Sequence, residues 1–527
     1  MPNTPMARRG MVASPHHLAS QAGLAVLRDG GNAIEAALAT AAAAAVLLPH
    51  ACGLGGDGFW LIAEPGRPPI SIDGSGSAAA AASPELFRGH GLEAVPATGP
   101  LAAITVAGAV SGWQLALDLS EQWGGGMPLE RLFEDAVHHA RAGFAITSGQ
   151  AAAAAANLAV LKATPGFASS FLGRNDNIAA GAAMTLPALA DTLERLAAAG
   201  LDDFYRGAVA RAVAEDLRRA GSPLKAEDFA RHRGMRRRPL SLGLAAGTVH
   251  ATAPPTQGLA ALILLGLLER RGWPPAGTFG WIQALAEAAG AGARVRDTHL
   301  ADPHRMAVHA ATYLSDHVLD RMAAEGDSAP EAPWRGGAGT EAAWVGVVDG
   351  QGRTVSCVHG LFGPFGAGVV LPASGIVWHN RGAAFGLDPA RADGLEPRRR
   401  PPHGLAPLLA RLKDGRLLAW GGSGGDGLPQ VLAQLFGRAL AESTPADGNG
   451  LQAAVSAPRF ARAGKRLCLE DGFTPDLAKA LAEGGWAIDP LPRGGAALGQ
   501  AGILLRRPDG IIAGAADPRG DGAVAGW

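Results

Sequence analysis

The sequence predicts an α+β fold in which stacked sheets are covered by helices, and two patterns carry that expectation. In the first part of the chain apolar residues recur at helical spacing between Gly and Pro stops; further on, paired runs of strand formers flank short turns. Repeated hairpins after repeated helices suit sheets that bury one face on each other and the other under helices. The chain has 527 residues, 48% apolar and 18% charged, enough for a large core or two intimately packed halves.

In chain order, Ser14 followed by Pro15 predicts a helix start, with Ser as N-cap and Pro at the first helical position. Leu18, Ala22 and Val26 follow at helical spacing until Gly30-Gly31 stops the helix. Asn32, with Glu35 three residues on, resembles a capping box for a helix that Pro49 ends. Helices are also expected over Asp191–Ala199, Val209–Ala220 and Trp281–Ala289, the last stopped by Gly290. The alanine tracts Ala78–Ala82 and Ala151–Ala156 read as composition bias. The apolar runs Ala36–Leu48 and Leu259–Leu268 are too short to span a bilayer and read as buried helices.

The stretch Gly339–Asn380 marks the change of character. Trp344–Asp349 and Thr354–Val358 are strand formers around the turn sequence Asp349-Gly350-Gln351-Gly352, a β-hairpin. Ahead of it Gly326–Gly339, rich in Pro, Gly and charge, reads as an exposed linker. A linker running straight into a core strand suits a chain cut there to expose a new amino terminus. Two more hairpins are expected, Leu408–Trp420 around Lys413-Asp414-Gly415 and Ile503–Ala513 around Pro508-Asp509-Gly510.

The order of motifs resembles the γ-glutamyltransferase family of N-terminal-nucleophile (Ntn) hydrolases, and more closely its oxamate amidohydrolase-like branch. Gly10–Ser14, Gly30–Ala33, Pro49-His50 with Gly53–Asp57, Gly108–Val110 with Gly112-Trp113, and Pro254–Gly258 are similar to the family's large subunit. Val347–Asp349, Phe365-Gly366 with Val369-Val370, Gly421–Gly425, Ala457–Phe460 and Asp517–Arg519 are similar to its small subunit. The resemblance implies a four-layer αββα sandwich, with residues 1–341 as the large subunit ending in a linker over 326–341, and 342–527 as the small subunit. It also implies a proenzyme that cuts itself into an αβ heterodimer, with further dimerisation open, acting on a small amide without a cofactor.

In such enzymes a Thr, Ser or Cys freed at the cut attacks an amide carbonyl, and its own α-amine takes the proton. Gly424 and Gly425 match the paired amides that hold the oxyanion; glycine lets the backbone approach a ligand closely. The nucleophile departs from the family. Counted back from Val347-Val348-Asp349, its Thr falls on Ala342, which has no hydroxyl, so the chain is expected to be uncleaved and inactive. Three explanations stand in order of preference: an introduced Thr-to-Ala change, an inherited alanine in a non-catalytic relative, or Thr340 serving after a local shift. Carried over from γ-glutamyl enzymes, the charged clamps for the donor's α-carboxylate and α-amine fall on Ser75 and Ala384, so γ-glutamyl transfer or glutathione hydrolysis is the alternative activity. Arg381, His403 and Phe362 enter pocket positions, and a guanidinium suits a carboxylate close to the scissile amide, as in oxamate. A structural ion pair is the other reading of Arg381.

Other chemistries fare less well. Gly421–Gly425 satisfies G-x-S-x-G between an apolar strand and the helical Val431–Ala441, but no histidine follows Ser423, which excludes the ordinary hydrolase triad order. His16, His17, His50, His299, His304 and His309 lack metal-ligand spacing, and no metal is expected. A net charge of −1 gives no electrostatic case for nucleic acid. Three cysteines without CxxC spacing and no apparent signal segment point to a cytoplasmic protein.

Overall fold

The computed structural model describes residues 3–172, 177–326, 341–442 and 450–527. Two seven-stranded sheets form its centre. One runs in the order 523–526, 10–14, 341–349, 354–362, 57–63, 70–74 and 235–237; the other runs 6–7, 512–515, 501–506, 417–422, 408–412, 247–251 and 240–244. Neighbouring strands in both are antiparallel.

Three apolar cores separate four layers. Met11, Leu61, Trp344, Val348, Leu409 and Leu504 fill the space between the sheets. Helices over 17–28, 33–47, 109–122 and 129–142 cover the first sheet, and those over 258–270, 279–299 and 428–442 cover the second. The period of two along Glu341–Asp349 assigns each residue its layer: Ala342, Trp344 and Val348 face the other sheet, while Ala343, Val345 and Val347 face the helices. This is the αββα sandwich. Each sheet draws strands from both sides of residue 342, so the two portions are interleaved and cannot pack separately.

The hairpins lie where turn chemistry puts them, at 408–412 with 417–422 and at 501–506 with 512–515. The Asn32–Glu35 capping box is present in full. Two boundaries differ from expectation. Ser14 ends a strand, and the first helix begins at His17, capped by the His16 ring accepting from the Leu18 amide at 3.2 Å. Gly290 does not stop its helix, which continues from Phe279 to His299 because a second glycine, Gly292, lets the apolar helix Gly258–Arg270 come close: a Cβ there would meet Leu264 Cδ1 at 2.4 Å. The hairpin opening the second half is longer than its β-formers suggest, pairing Glu341–Asp349 with Thr354–Phe362 and carrying an irregularity between Glu341 and Ala342. The linker expected over 326–341 falls on residues 327–340, Thr340 among them, which lie outside the described residues.

Candidate active site

Residue 342 sits at the mouth of the inter-sheet layer. Its neighbour Trp344 anchors the strand: a Cβ on Gly346, Gly421 or Gly502 would come within 2.2–2.4 Å of the indole, so these glycines make its bed. The indole Nε1 donates to Ser356 Oγ at 3.0 Å. Ala342 lines two small cavities. One, of about 340 Å³, is walled by Ser14, Ser423, Gln500 and Asp517. The other, of about 440 Å³, brings Ala342 together with Gly424, Gly425, Arg381, His403 and Phe362, so six of the seven expected site residues share one space.

Ser75 is the exception. It does not line that cavity, and its hydroxyl donates to Asp73 Oδ1 at 2.5 Å. Asp73 in turn pairs with Arg237 at 3.0 Å, so this corner is committed to itself.

Gly424 and Gly425 follow the strand Leu417–Gly422 and precede the helix Leu428–Glu442. Their φ angles of 150° and 56° favour glycine, and amides at the start of a helical turn have no intrahelical acceptor. Gln257 ties this loop to the opposite wall, its Nε2 donating to Gly404 O at 2.5 Å and Gly425 O at 2.7 Å. The same segment clamps His403, whose amide donates to Pro255 O and whose carbonyl accepts from the Gln257 amide.

Arg381 is 8% exposed, and among the described residues no carboxylate lies within ion-pairing distance of it. Its guanidinium stacks 4.0 Å from the centre of the Phe362 ring, and Nε has no hydrogen-bond partner. Burial pulls its pKa down to about 10, against the attraction of Asp426 and Asp57. Among the described residues Arg381 thus has no carboxylate in direct contact; Asp426 and Asp57 act on it only from a distance, and the guanidinium lines the cavity. On the far side Phe362, Arg381 and His403 also wall an open recess of about 1110 Å³ that includes Arg296, Arg391 and Asp426.

Asp57 is the residue the motif reading passed over. It is buried, with Oδ1 accepting from the Gly76 and Gly108 amides at 3.0 Å each. Oδ2 lies 3.1 Å from His403 Nε2 and 3.4 Å from His379 Nδ1. The approach to His403 is close but angled, an electrostatic contact and not an aligned hydrogen bond. Burial raises the Asp57 pKa, yet His379, His403 and the Gly76 amide outweigh it and hold the carboxyl below its usual value. Burial also leads for His403, assisted by Arg381 and opposed by Asp57, and keeps the imidazole below its usual pKa. The available signal was an acid closing a glycine-rich turn just before an apolar strand.

Among the described residues no cluster of three or more His, Cys, Asp or Glu could hold a metal ion, and no helix is long and apolar enough to cross a membrane. The three cysteines are unpaired. Taken together, the arrangement puts a buried guanidinium, two glycines of a strand-to-helix turn, an imidazole and the alanine at 342 around one space.

Known proteins agree with this architecture. The family model described as Gamma-glutamyltranspeptidase matches residues 19–527. The chain is 42% identical over 535 residues to the "Oxamate amidohydrolase proenzyme" of Klebsiella pneumoniae, covering 100% of both. It is 32% identical to the "Glutathione hydrolase-like YwrD proenzyme" of Bacillus subtilis, covering 98% of each. Its structure superposes on the cephalosporin acylase from Bacillus halodurans with a TM-score of 0.89 at 29% identity, covering 100% of this chain and 97% of that one. The four-layer sandwich is thus that of the Ntn hydrolases, and the chain belongs to the γ-glutamyltranspeptidase family.

Proposed function

We propose that this chain is an Ntn-type amide hydrolase by descent that binds a small amide whose carboxylate adjoins the carbonyl, as oxamate does, and that cannot cut itself or form an acyl-enzyme while residue 342 is alanine. The observation that carries the reading is Arg381: a buried guanidinium without a carboxylate partner, in one cavity with Ala342, Gly424 and Gly425. An unpaired buried cation is costly unless a ligand completes it, and a carboxylate does so with two hydrogen bonds. With the carboxylate on Arg381 the adjoining carbonyl stays near residue 342, and its oxygen can face the Gly424 and Gly425 amides. The name of the 42% identical relative supports the same class of substrate.

A threonine at 342 would supply the missing step. Its hydroxyl would first take the acyl group of residue 341 from its own amide nitrogen, and water would hydrolyse the resulting ester, leaving 1–341 and 342–527 as subunits of one interleaved heterodimer. The freed α-amine would then take the hydroxyl proton as oxygen attacks the bound amide and pass it to the departing ammonia, and water would hydrolyse the acyl-enzyme left behind to release the acid and restore the hydroxyl. The γ-glutamyl alternative has less support, since Ser75 is engaged by Asp73 and Ala384 has no charge with which to hold an α-amine. If the alanine is inherited, the same pocket makes this a binding protein for acidic amides. Three unpaired thiols favour a reducing compartment such as the cytoplasm.

The test is Ala342→Thr. The expected outcome is two fragments split ahead of residue 342 and ammonia release from oxamate, with one uncut chain and no release before the change. A variant that stays whole, or is cut elsewhere, removes the nucleophile assignment. Calorimetric titration of the unaltered chain with oxamate tests the binding half separately.

A further inference from the structure

His403 is the second unsatisfied group in the cavity wall. It is 2% exposed, and neither ring nitrogen makes an aligned hydrogen bond among the described residues. Its surroundings are fixed on every side. Asp57, on the strand Asp57–Ala63, faces Nε2, and the Gly76 and Gly108 amides hold that carboxylate in place. Phe59 from the same strand meets the ring edge-on, with centroids 4.9 Å apart. His379 shares Asp57 Oδ2 and is itself tied to Thr105 O at 3.0 Å. Asp73 acts on His403 from a distance, and Arg381 and Asp426 line the same cavity.

In the empty cavity the Arg381 cation and burial oppose a charge on His403, while Asp57 favours one. A ligand carboxylate on Arg381 reverses this balance. It neutralises the guanidinium and places a second anion in the cavity, so the imidazole lies between two carboxylates.

We propose that the pocket binds its carboxylate together with a proton: His403, poised by Asp57, becomes the second cation of the site only when the ligand is present. The inference rests on the carboxylate reading of Arg381 and adds the rule by which the site is filled. The proton comes from solvent and goes to the imidazole; no covalent bond changes. Asp57 is then a positioning residue, because it reaches the ligand only through His403. By linkage, binding strengthens as pH falls until His403 is charged in the free protein too. At higher pH the dissociation constant rises by up to about tenfold per pH unit.

The experiment is calorimetric titration of the full chain with oxamate at pH 7.5 in phosphate and Tris, whose ionisation heats differ. The expected result is a binding heat that depends on buffer, with a slope approaching one proton taken up per ligand. His403→Gln should bind more weakly and lose the slope. Asp57→Asn, whose Oδ1 can still accept from Gly76 and Gly108, should lose most of it, and keeps the test open if the first variant fails to fold. Binding with the same heat in both buffers overturns the inference and leaves the carboxylate reading standing. Equal uptake in both variants overturns it as well, since the proton then goes elsewhere. Absence of binding removes the carboxylate reading and this inference together.

Discussion

Two buried arginine sites lie in one molecule and serve opposite ends. Near the carboxyl terminus Arg459 and Arg519 flank Asp517, at 2.6 and 3.1 Å, and Arg519 also pairs with Glu470. Asp517 further accepts from the Ala501 and Arg519 amides, and Glu470 from the Arg459 amide. Every charge there has a partner. At the cavity Arg381 is equally buried, stacks on the Phe362 ring and has no carboxylate in direct contact among the described residues. A closed network ties the strand Arg466–Glu470 to the segment after the strand Ile512–Ala515, which belongs to another sheet, whereas an open cation lowers stability and raises affinity for whatever closes it. The difference separates arginines that hold the fold from the one proposed to read a ligand.

The largest effect is expected from breaking the closed site. Asp517→Asn leaves two arginines without their shared anion and should destabilise the fold by about 3–5 kcal/mol, seen as a lower urea midpoint. If the loss is below about 1 kcal/mol, the network is not the anchor its geometry indicates.

Arg381→Gln sharpens the contrast from the other side. Stability should be unchanged or higher, because a desolvated cation is removed, while oxamate binding should weaken by about a hundredfold with the loss of two charge-assisted hydrogen bonds. In an enzyme activated by Ala342→Thr, Arg381→Ala should raise KM for acidic amides and leave neutral ones unaffected. An unchanged KM would return Arg381 to a structural role.

Acid probes buried histidines that pack against aromatic rings and have no carboxylate acting on them among the described residues. Burial pulls His50 to about 4 and His359 to about 3. A depressed histidine binds its proton more readily unfolded, so its stabilisation is full above pH 6.5 and is lost as pH falls toward those values. Within that window each should cost about 1.4 kcal/mol per pH unit. Urea midpoints measured between pH 7 and pH 5 check this, and His50→Gln should flatten the slope.

Much of the fold is legible in the sequence. Hairpin turns, the Asn32–Glu35 box and the helix-to-strand change depend on neighbours in sequence, and such local chemistry is what a sequence displays. Errors came where distant contacts decide. Ser14 looked like a cap, but pairing with Ala523 holds it in a strand; Gly290 looked like a stop, but helix packing carries the chain past it. At the site, Ala342, Gly424, Gly425, Arg381, His403 and Phe362 were nameable from motif order. Asp57 closed a quoted motif but was given no place at the site, since it reaches two histidines more than 300 positions away.

The sequence by itself determined the α+β class, the order of motifs and the alanine at 342, because periodicity, turn residues and atom content are properties of the chain. Only the tertiary structure decided that Arg381 touches no carboxylate among the described residues, that Ser75 is turned to Asp73, and that Asp57 stands behind His403. Those facts are distances between residues far apart in the chain, and the packing of two interleaved sheets sets them.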